Sequence, residues 1–304
     1  MKRLPDFLII GAGKSGTTSL DNYLKLNPEI FMSPVKEPNF FAYDQIDLNI
    51  LDKDALAHYH ESVTKLSQYQ SLFEEAQSNQ VLGETSNTYL VINGTAEVIH
   101  SYIPKVKLIA ILRQPTKRLY SRYLHLAREN ELPSENFADA LDKDSIWWVR
   151  NDLVKEGFYY TNLKRYYDIF PKENIRVYLY EDLKENLQGT LDDIFSFLNV
   201  NEPVKVERAV EYNKSGFIKN KFYDKTVGHN SFVKTIIKKA LPNRVYERMK
   251  SNQWLQKKVT DIQNSNLARP ELDDMLYQQI THDVYAEEIK KLSVLINRDL
   301  THWL

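Results

Sequence analysis

The sequence predicts an α/β fold, a central parallel β-sheet flanked by helices on both faces. Three observations carry this. Strand-like apolar runs at 7–10, 81–83, 106–112 and 175–180 alternate with helix patterns at 68–78, 94–102, 116–128, 161–170 and 187–198. The first run passes straight into a glycine-rich turn and a helix, the junction typical of a strand that feeds a crossover. No internal repeat, low-complexity tract or long Gly/Ser linker interrupts the 304 residues, and 42% of them are hydrophobic, enough for one large core. The simplest division is a single domain over 1–304, with a helical insertion or extension around 217–267 and a closing helix over 271–304.

The first element is the most specific. Phe7-Leu8-Ile9-Ile10 reads as a buried strand, and Gly11, Gly13 and Gly16 permit a tight turn in which backbone N–H groups converge on an anion. Lys14 adds a positive charge, and Thr17, Thr18 and Ser19 open the next helix, whose dipole favours negative charge. The loop is thus P-loop-like, built for a phosphate or a sulfate. It departs from the general pattern G-x-x-x-x-G-K-[ST], because Thr17 holds the lysine position and the lysine has moved inside, to Lys14. The strand over 106–112 ends in Arg113, where a metal-dependent nucleotide hydrolase would place an acid. A cation there suits a second anionic group, which points to a nucleotide carrying two separated anions.

The glycine-rich loop of residues 9–20 and the run Leu112-Arg113-Gln114-Pro115-Thr116-Lys117-Arg118-Leu119-Tyr120-Ser121-Arg122-Tyr123 together resemble the sulfotransferases that use 3′-phosphoadenosine 5′-phosphosulfate (PAPS). Lys36-Glu37-Pro38-Asn39-Phe40-Phe41 is similar to the E-x-x-F-F element of the heparan-sulfate-type branch. Gly83-Glu84-Thr85-Ser86-Asn87-Thr88-Tyr89-Leu90 looks like its GExSPxYL segment, with Asn87 in place of the proline. Glu156 to Tyr166 resembles the family's G-x-Y-x-x-x-L-x-x-[WY] helix, and residues 211–219 resemble its late N-x-S-G-x-x-[KR] loop.

The resemblance implies a division of labour. Lys14, Ser15, Gly16, Thr17, Thr18 and Ser19 would hold the 5′-phosphosulfate, Arg113 and Ser121 the 3′-phosphate, and Lys214, Ser215 and Gly216 would close over the nucleotide. Glu37 would be the general base that relieves an acceptor hydroxyl or amine of its proton, and Lys14 would stabilise charge on the bridging oxygen as the S–O bond breaks. Glu84 and Ser86 would orient the acceptor or serve a second acid/base role. PAPS is the implied donor and 3′-phosphoadenosine 5′-phosphate (PAP) the product, with no metal required. The implied acceptor is a glycan, lipid or other metabolite. Two alternatives stand beside this: a P-loop nucleotide kinase with an altered loop, and a nucleotide-binding module without chemistry, which would have no use for Glu37.

Other features bound the reading. Forty basic against 41 acidic residues give a net charge of −1, so no global field attracts nucleic acid or a membrane surface. The absence of cysteine excludes disulfides, thiolate catalysis and cysteine zinc sites, and suits a reducing compartment. Residues 1–6 run directly into the first strand, which leads to an expected cytoplasmic location without a signal peptide or anchor helix. Arg118 and Arg122 read as helix-surface charges, and Tyr159 and Tyr160 as structural. Trp147 and Trp148 read first as packing and second as a lid or acceptor wall, while the basic residues Lys234, Lys238, Lys239 and Arg244 read as a solvated face. The sequence sets neither the acceptor's identity nor the oligomeric state.

Overall fold

The computed structural model describes residues 3–46, 48, 56, 59–201, 204–206, 217–218, 267–268 and 270–304. The chain divides into two compact units, one made of Met1–Arg122, Pro133–Tyr212 and Asp273–Leu304, the other of Tyr123–Leu132 and Asn213–Leu272.

The first unit contains a five-stranded sheet of β1 (Phe7–Gly11), β2 (Ile30–Met32), β3 (Val81–Thr85), β4 (Lys107–Leu112) and β5 (Ile175–Leu179). The spatial order is β2-β3-β1-β4-β5, and every pairing is parallel. All five residues of β1 are buried, as an apolar run without alternation requires when both faces of a strand are covered. On one face Phe7, Ile9, Ile109 and Ile111 pack with Leu20 and Leu24 of α1 (Thr17–Leu24). The same cluster takes in Leu191, Ile194 and Leu198 from the helix Leu187–Leu198. The period of two sends Leu8, Ile10, Leu108, Ala110 and Leu112, all fully buried, to the opposite face.

The order of the strands positions the site. From the central β1 the chain runs outward to β2 and β3 on one side and then to β4 and β5 on the other. The loops that leave the carboxyl ends of β1, β3 and β4 therefore emerge side by side, where open α/β sheets bind ligands.

Two expectations need adjusting. β2 has only three residues, Ile-Phe-Met, too short for a readable period, and was not expected. The helix expected over 68–78 is Leu66–Ser71, followed by turns. The closing helix over 271–304 comprises Asp274–Ile280, a π-turn at Thr281–Tyr285, Ala286–Ile296 and a final turn at Thr301–Trp303. Its job is packing: Ile289, Leu292, Leu300 and Trp303 are buried.

In the second unit, β6 (Phe217–Ile218) pairs antiparallel with β7 (Leu267–Ala268). The rest of the expected insertion over 217–267, with Lys234, Lys238, Lys239 and Arg244, lies outside the described residues. Among the described residues no helix is long and apolar enough to cross a membrane.

Candidate active site

The loop after β1 is closed by its own backbone. Ser15 N donates to Ala12 O at 3.3 Å, and Ala12 N donates to Ile111 O at 2.8 Å, which ties the turn to β4. Gly16 caps α1 with φ 101°, a left-handed conformation that favours glycine, and a Cβ there would crowd the Tyr180 ring at 3.2 Å. The first helical bond is Leu20 N to Gly16 O at 3.0 Å. The amides of Thr17, Thr18 and Ser19 precede it and form the donor-rich, positive end of the helix. Thr18 and Ser19 are half-buried there, whereas the Ser15 side chain is fully buried, so the expected donor contact of Ser15 cannot come from its hydroxyl without rearrangement.

Beneath the loop lies a device the sequence did not announce. Gly13 N donates to Glu156 Oε1 at 2.6 Å, and Arg118 Nη1 donates to Glu156 Oε2 at 2.6 Å. Arg118 is fully buried; its other donors reach the carbonyls of Leu153 and, at 3.2 Å, Asp152. Burial pushes the Glu156 carboxyl up to about 6 despite the pull of Arg118 and of the Gly13 amide. The reading of Arg118 and Arg122 as solvated helix charges is corrected. Arg122 Nε donates to Asp152 Oδ2 at 2.9 Å and Arg150 Nε to Asp152 Oδ1 at 3.0 Å. Burial works against the Asp152 carboxylate, but these two guanidinium groups hold it well below its usual range.

Arg113 leaves the end of β4 and reaches this same loop. Its Nη1 donates to Lys14 O at 3.3 Å, its guanidinium lies 5.0 Å from the centre of the Tyr180 ring, and burial lowers its pKa. The backbone on either side is fastened. Tyr159 OH donates to Arg113 O at 2.9 Å, and Gln114 Nε2 donates to Thr281 Oγ1 and Trp303 O, both at 3.1 Å. Gln114 Oε1 also accepts from Lys117 N at 2.7 Å, capping α5 (Pro115–Glu129), which follows α2 (Leu66–Ser71), α3 (Thr88–Val91) and α4 (Thr95–Tyr102) along the chain. Ser121 is half-buried in the second turn of α5. Tyr159 is thus structural as expected, and Trp147 is fully buried against Phe137 with ring centres 5.7 Å apart, which favours packing over a lid.

The third loop carries Glu37. Both Glu37 (φ 57°) and Asn39 (φ 54°) sit in the left-handed region, unusual for side chains other than glycine. The loop is pinned to the end of β3: Glu37 N donates to Thr85 O at 2.8 Å and Asn39 N to Ser86 Oγ at 3.1 Å. The carboxylate is gripped at one oxygen, Oε1, by Asn87 Nδ2 at 2.9 Å and Lys36 Nζ at 3.1 Å. Lys36 Nζ also donates to Thr18 Oγ1 at 2.8 Å, linking the anion loop directly to the Glu37 loop. Asn87, the departure from the family's proline, is therefore a holder of the candidate base. A second tie between the two loops runs underneath, where Thr85 Oγ1 donates to Asp21 Oδ1 of α1 at 2.9 Å.

Glu84 and Ser86, expected to orient the acceptor, are both fully buried and present no side chain to the cleft. Their geometry assigns them a supporting position instead. Ser86 Oγ donates to Glu84 Oε2 at 3.0 Å while accepting from Asn39 N. Burial pushes the Glu84 carboxyl up to about 8, against the opposing hydrogen bonds of Tyr89, Ser86 and Tyr69. The unfolded chain gives up this proton near the ordinary carboxylate value, about 4.3. Between that pH and about 8 the folded chain binds a proton that the unfolded chain lacks, so stability falls as pH rises through the window. Glu84→Gln, which keeps an acceptor for Ser86 and cannot ionise, is expected to remove this dependence. From pH 5 to pH 8 the wild-type melting temperature should fall by roughly 5–10 °C more than that of E84Q, measured by calorimetry at matched ionic strength.

The loop residues 14–19, Arg113 and Glu37 thus meet at the carboxyl end of the sheet, whereas Lys214, Ser215 and Gly216 lie outside the described residues. Lys36 and Glu156 were within quoted motifs yet carried no assigned role. The lysine next to the acid was the available signal for the first. For Glu156 no local signal existed, since its partners are 38 and 143 positions away in sequence.

A family model for the sulfotransferase domain matches residues 4–291. Carbohydrate sulfotransferase 15 of Rattus norvegicus is 27% identical over 249 residues, covering 66% of this chain and 44% of the relative. The bifunctional heparan sulfate N-deacetylase/N-sulfotransferase 2 of Bos taurus is 24% identical over 219 residues, covering 70% of this chain and 24% of the relative. The chain therefore spans less than half the length of these curated relatives. In fold it is similar to the crystal structure of a sulfotransferase from Alicyclobacillus acidocaldarius, with a TM-score of 0.70, 24% identity and 99% of each chain covered. With the family model matching from before β1 into the last helix, the chain belongs to the sulfotransferase domain family, the PAPS-using enzymes that its motifs resemble.

Proposed function

We propose that this chain transfers the sulfuryl group of PAPS to a hydroxyl or amine of a carbohydrate-type acceptor, with Glu37 as general base. The observation that carries this reading is the linkage of the two loops. Thr18, at the positive end of α1, and Glu37, in the loop after β2 that is pinned to the end of β3, share one ammonium group at 2.8 and 3.1 Å. An anionic donor seated on the α1 amides lies next to a carboxylate whose second oxygen is left to take a proton, which is the juxtaposition an in-line transfer needs.

The roles are those the resemblance implies, and the geometry supports them. The amides of Thr17, Thr18 and Ser19 and the charge of Lys14 hold the 5′ side, with Arg113 and Ser121 for the 3′-phosphate. Lys14 stabilises the oxygen that departs with the nucleotide. Glu156 and Arg118 fix the loop from below, and Asn87 fixes Glu37. A carbohydrate acceptor is favoured by the names of the relatives, which are carbohydrate and heparan sulfate sulfotransferases.

PAP is expected to raise the melting temperature of the chain, and ATP with magnesium is not. Stabilisation by ATP with magnesium alone would favour a kinase. Incubation with PAPS and a panel of oligosaccharides, read by mass spectrometry for a product heavier by one sulfuryl group, then separates an enzyme from a binding module. Binding of PAP with no transfer to any hydroxyl or amine would remove the catalytic half of the proposal.

A further inference from the structure

We infer that Lys36 is a catalytic residue of this site, an ammonium that contacts the sulfuryl group as it passes from the loop to the acceptor. The inference rests on the donor reading above and deepens it. An ammonium has three N–H donors. In Lys36 two of them are aimed at Thr18 Oγ1, on the anion loop, and Glu37 Oε1, the candidate base, and one remains.

Stability does not explain this arrangement. The side chains of Lys36 and Glu37 are 30% and 39% exposed, and ion pairs so open to solvent contribute about 0–1 kcal/mol. The left-handed backbone at Glu37 and Asn39 that presents the pair costs on the order of 1–3 kcal/mol for each residue. The loop is held in its conformation by Thr85, Ser86 and Thr88, so the fold sustains a costly geometry for a pair that repays little of it.

Charge supplies the missing purpose. In the transfer, the bond from sulfur to the bridging oxygen breaks and its electron pair leaves with the nucleotide phosphate. A new bond forms from sulfur to the acceptor oxygen or nitrogen, and the acceptor proton goes to Glu37. The sulfuryl oxygens carry negative charge throughout and move towards a carboxylate, which repels them. A cation already bonded to that carboxylate cancels the repulsion without abolishing its basicity. Lys14, inside the loop, serves the leaving side; Lys36 serves the entering side.

The test uses Lys36→Met and Lys36→Arg in the full chain, with PAP affinity by calorimetry beside steady-state turnover across pH. PAP has the nucleotide and both phosphates but no sulfuryl group. K36M is expected to lower kcat by about 10²-fold with PAP affinity and melting temperature unchanged, and the loss should persist on the high-pH plateau even though losing the ammonium beside Glu37 moves the acid limb to higher pH. K36R should recover much of the loss. Full turnover in K36M would overturn the inference, as would a loss that disappears on raising the pH, which would reduce Lys36 to a modifier of Glu37. Loss of PAP affinity in K36M would place the ammonium on the nucleotide and overturn it equally. Wild-type chain that binds no PAP would overturn the donor reading itself, and is distinguishable from all of these.

Discussion

Glu37→Gln is expected to lower turnover by about 10²–10⁴-fold while leaving PAP affinity and melting temperature unchanged. Glutamine has the same shape, and its carbonyl can still accept from Asn87 Nδ2 and Lys36 Nζ, which hold the wild-type oxygen at 2.9 and 3.1 Å. The backbone bonds that pin the loop, Glu37 N to Thr85 O and Ala42 N to Asn39 O, do not involve the side chain. What the substitution removes is the capacity to take a proton. A drop in kcat with unchanged PAP affinity is therefore the signature of a base, whereas parallel losses in both would indicate that the side chain shapes the donor site. Turnover retained in E37Q would move the base elsewhere, and Glu84 would be a poor replacement because it is fully buried and its carboxyl stays protonated to about pH 8.

The parts of this architecture that were legible in the sequence are those written locally. A run of four apolar residues before three glycines gave β1, the turn and α1, because a buried parallel strand and a left-handed cap each demand particular residue types at adjacent positions. Arg113 was visible for the same reason, as the residue that ends β4. β2 was invisible because three residues carry no period. The burial of Glu84 was invisible because the motif that contains it fixes its place in the chain, while the direction of its side chain depends on Tyr69, outside the motif, and Tyr89, at its far end, closing over it together. Asn87 looked like a blemish in a motif; its amide turns out to face Glu37 across 50 positions of sequence. Long-range partners of this kind leave no trace in spacing.

Glu156→Ala is expected to cost about 3–5 kcal/mol of stability. The reason is the partner left behind. Arg118 is fully buried and its Nη1 meets Glu156 Oε2 at 2.6 Å, so truncation strands a guanidinium in a medium where an unpaired charge is not tolerated. Part of the loss falls on the anion loop, since Gly13 N gives up its 2.6 Å acceptor at the same time. Two further variants separate these contributions. Glu156→Gln keeps an acceptor for Gly13 but leaves Arg118 without a counter-charge, and should retain most PAP affinity at reduced stability. The double variant Arg118→Met with Glu156→Leu removes both charges and both buried desolvation penalties, and should recover much of the melting temperature because an apolar pair of similar volume can replace a buried ion pair. It offers Gly13 no acceptor, so its PAP affinity should remain low even as stability returns. Recovery of both would show that the ion pair serves the core alone; recovery of stability without affinity would show that Glu156 holds the loop in the shape that binds an anion.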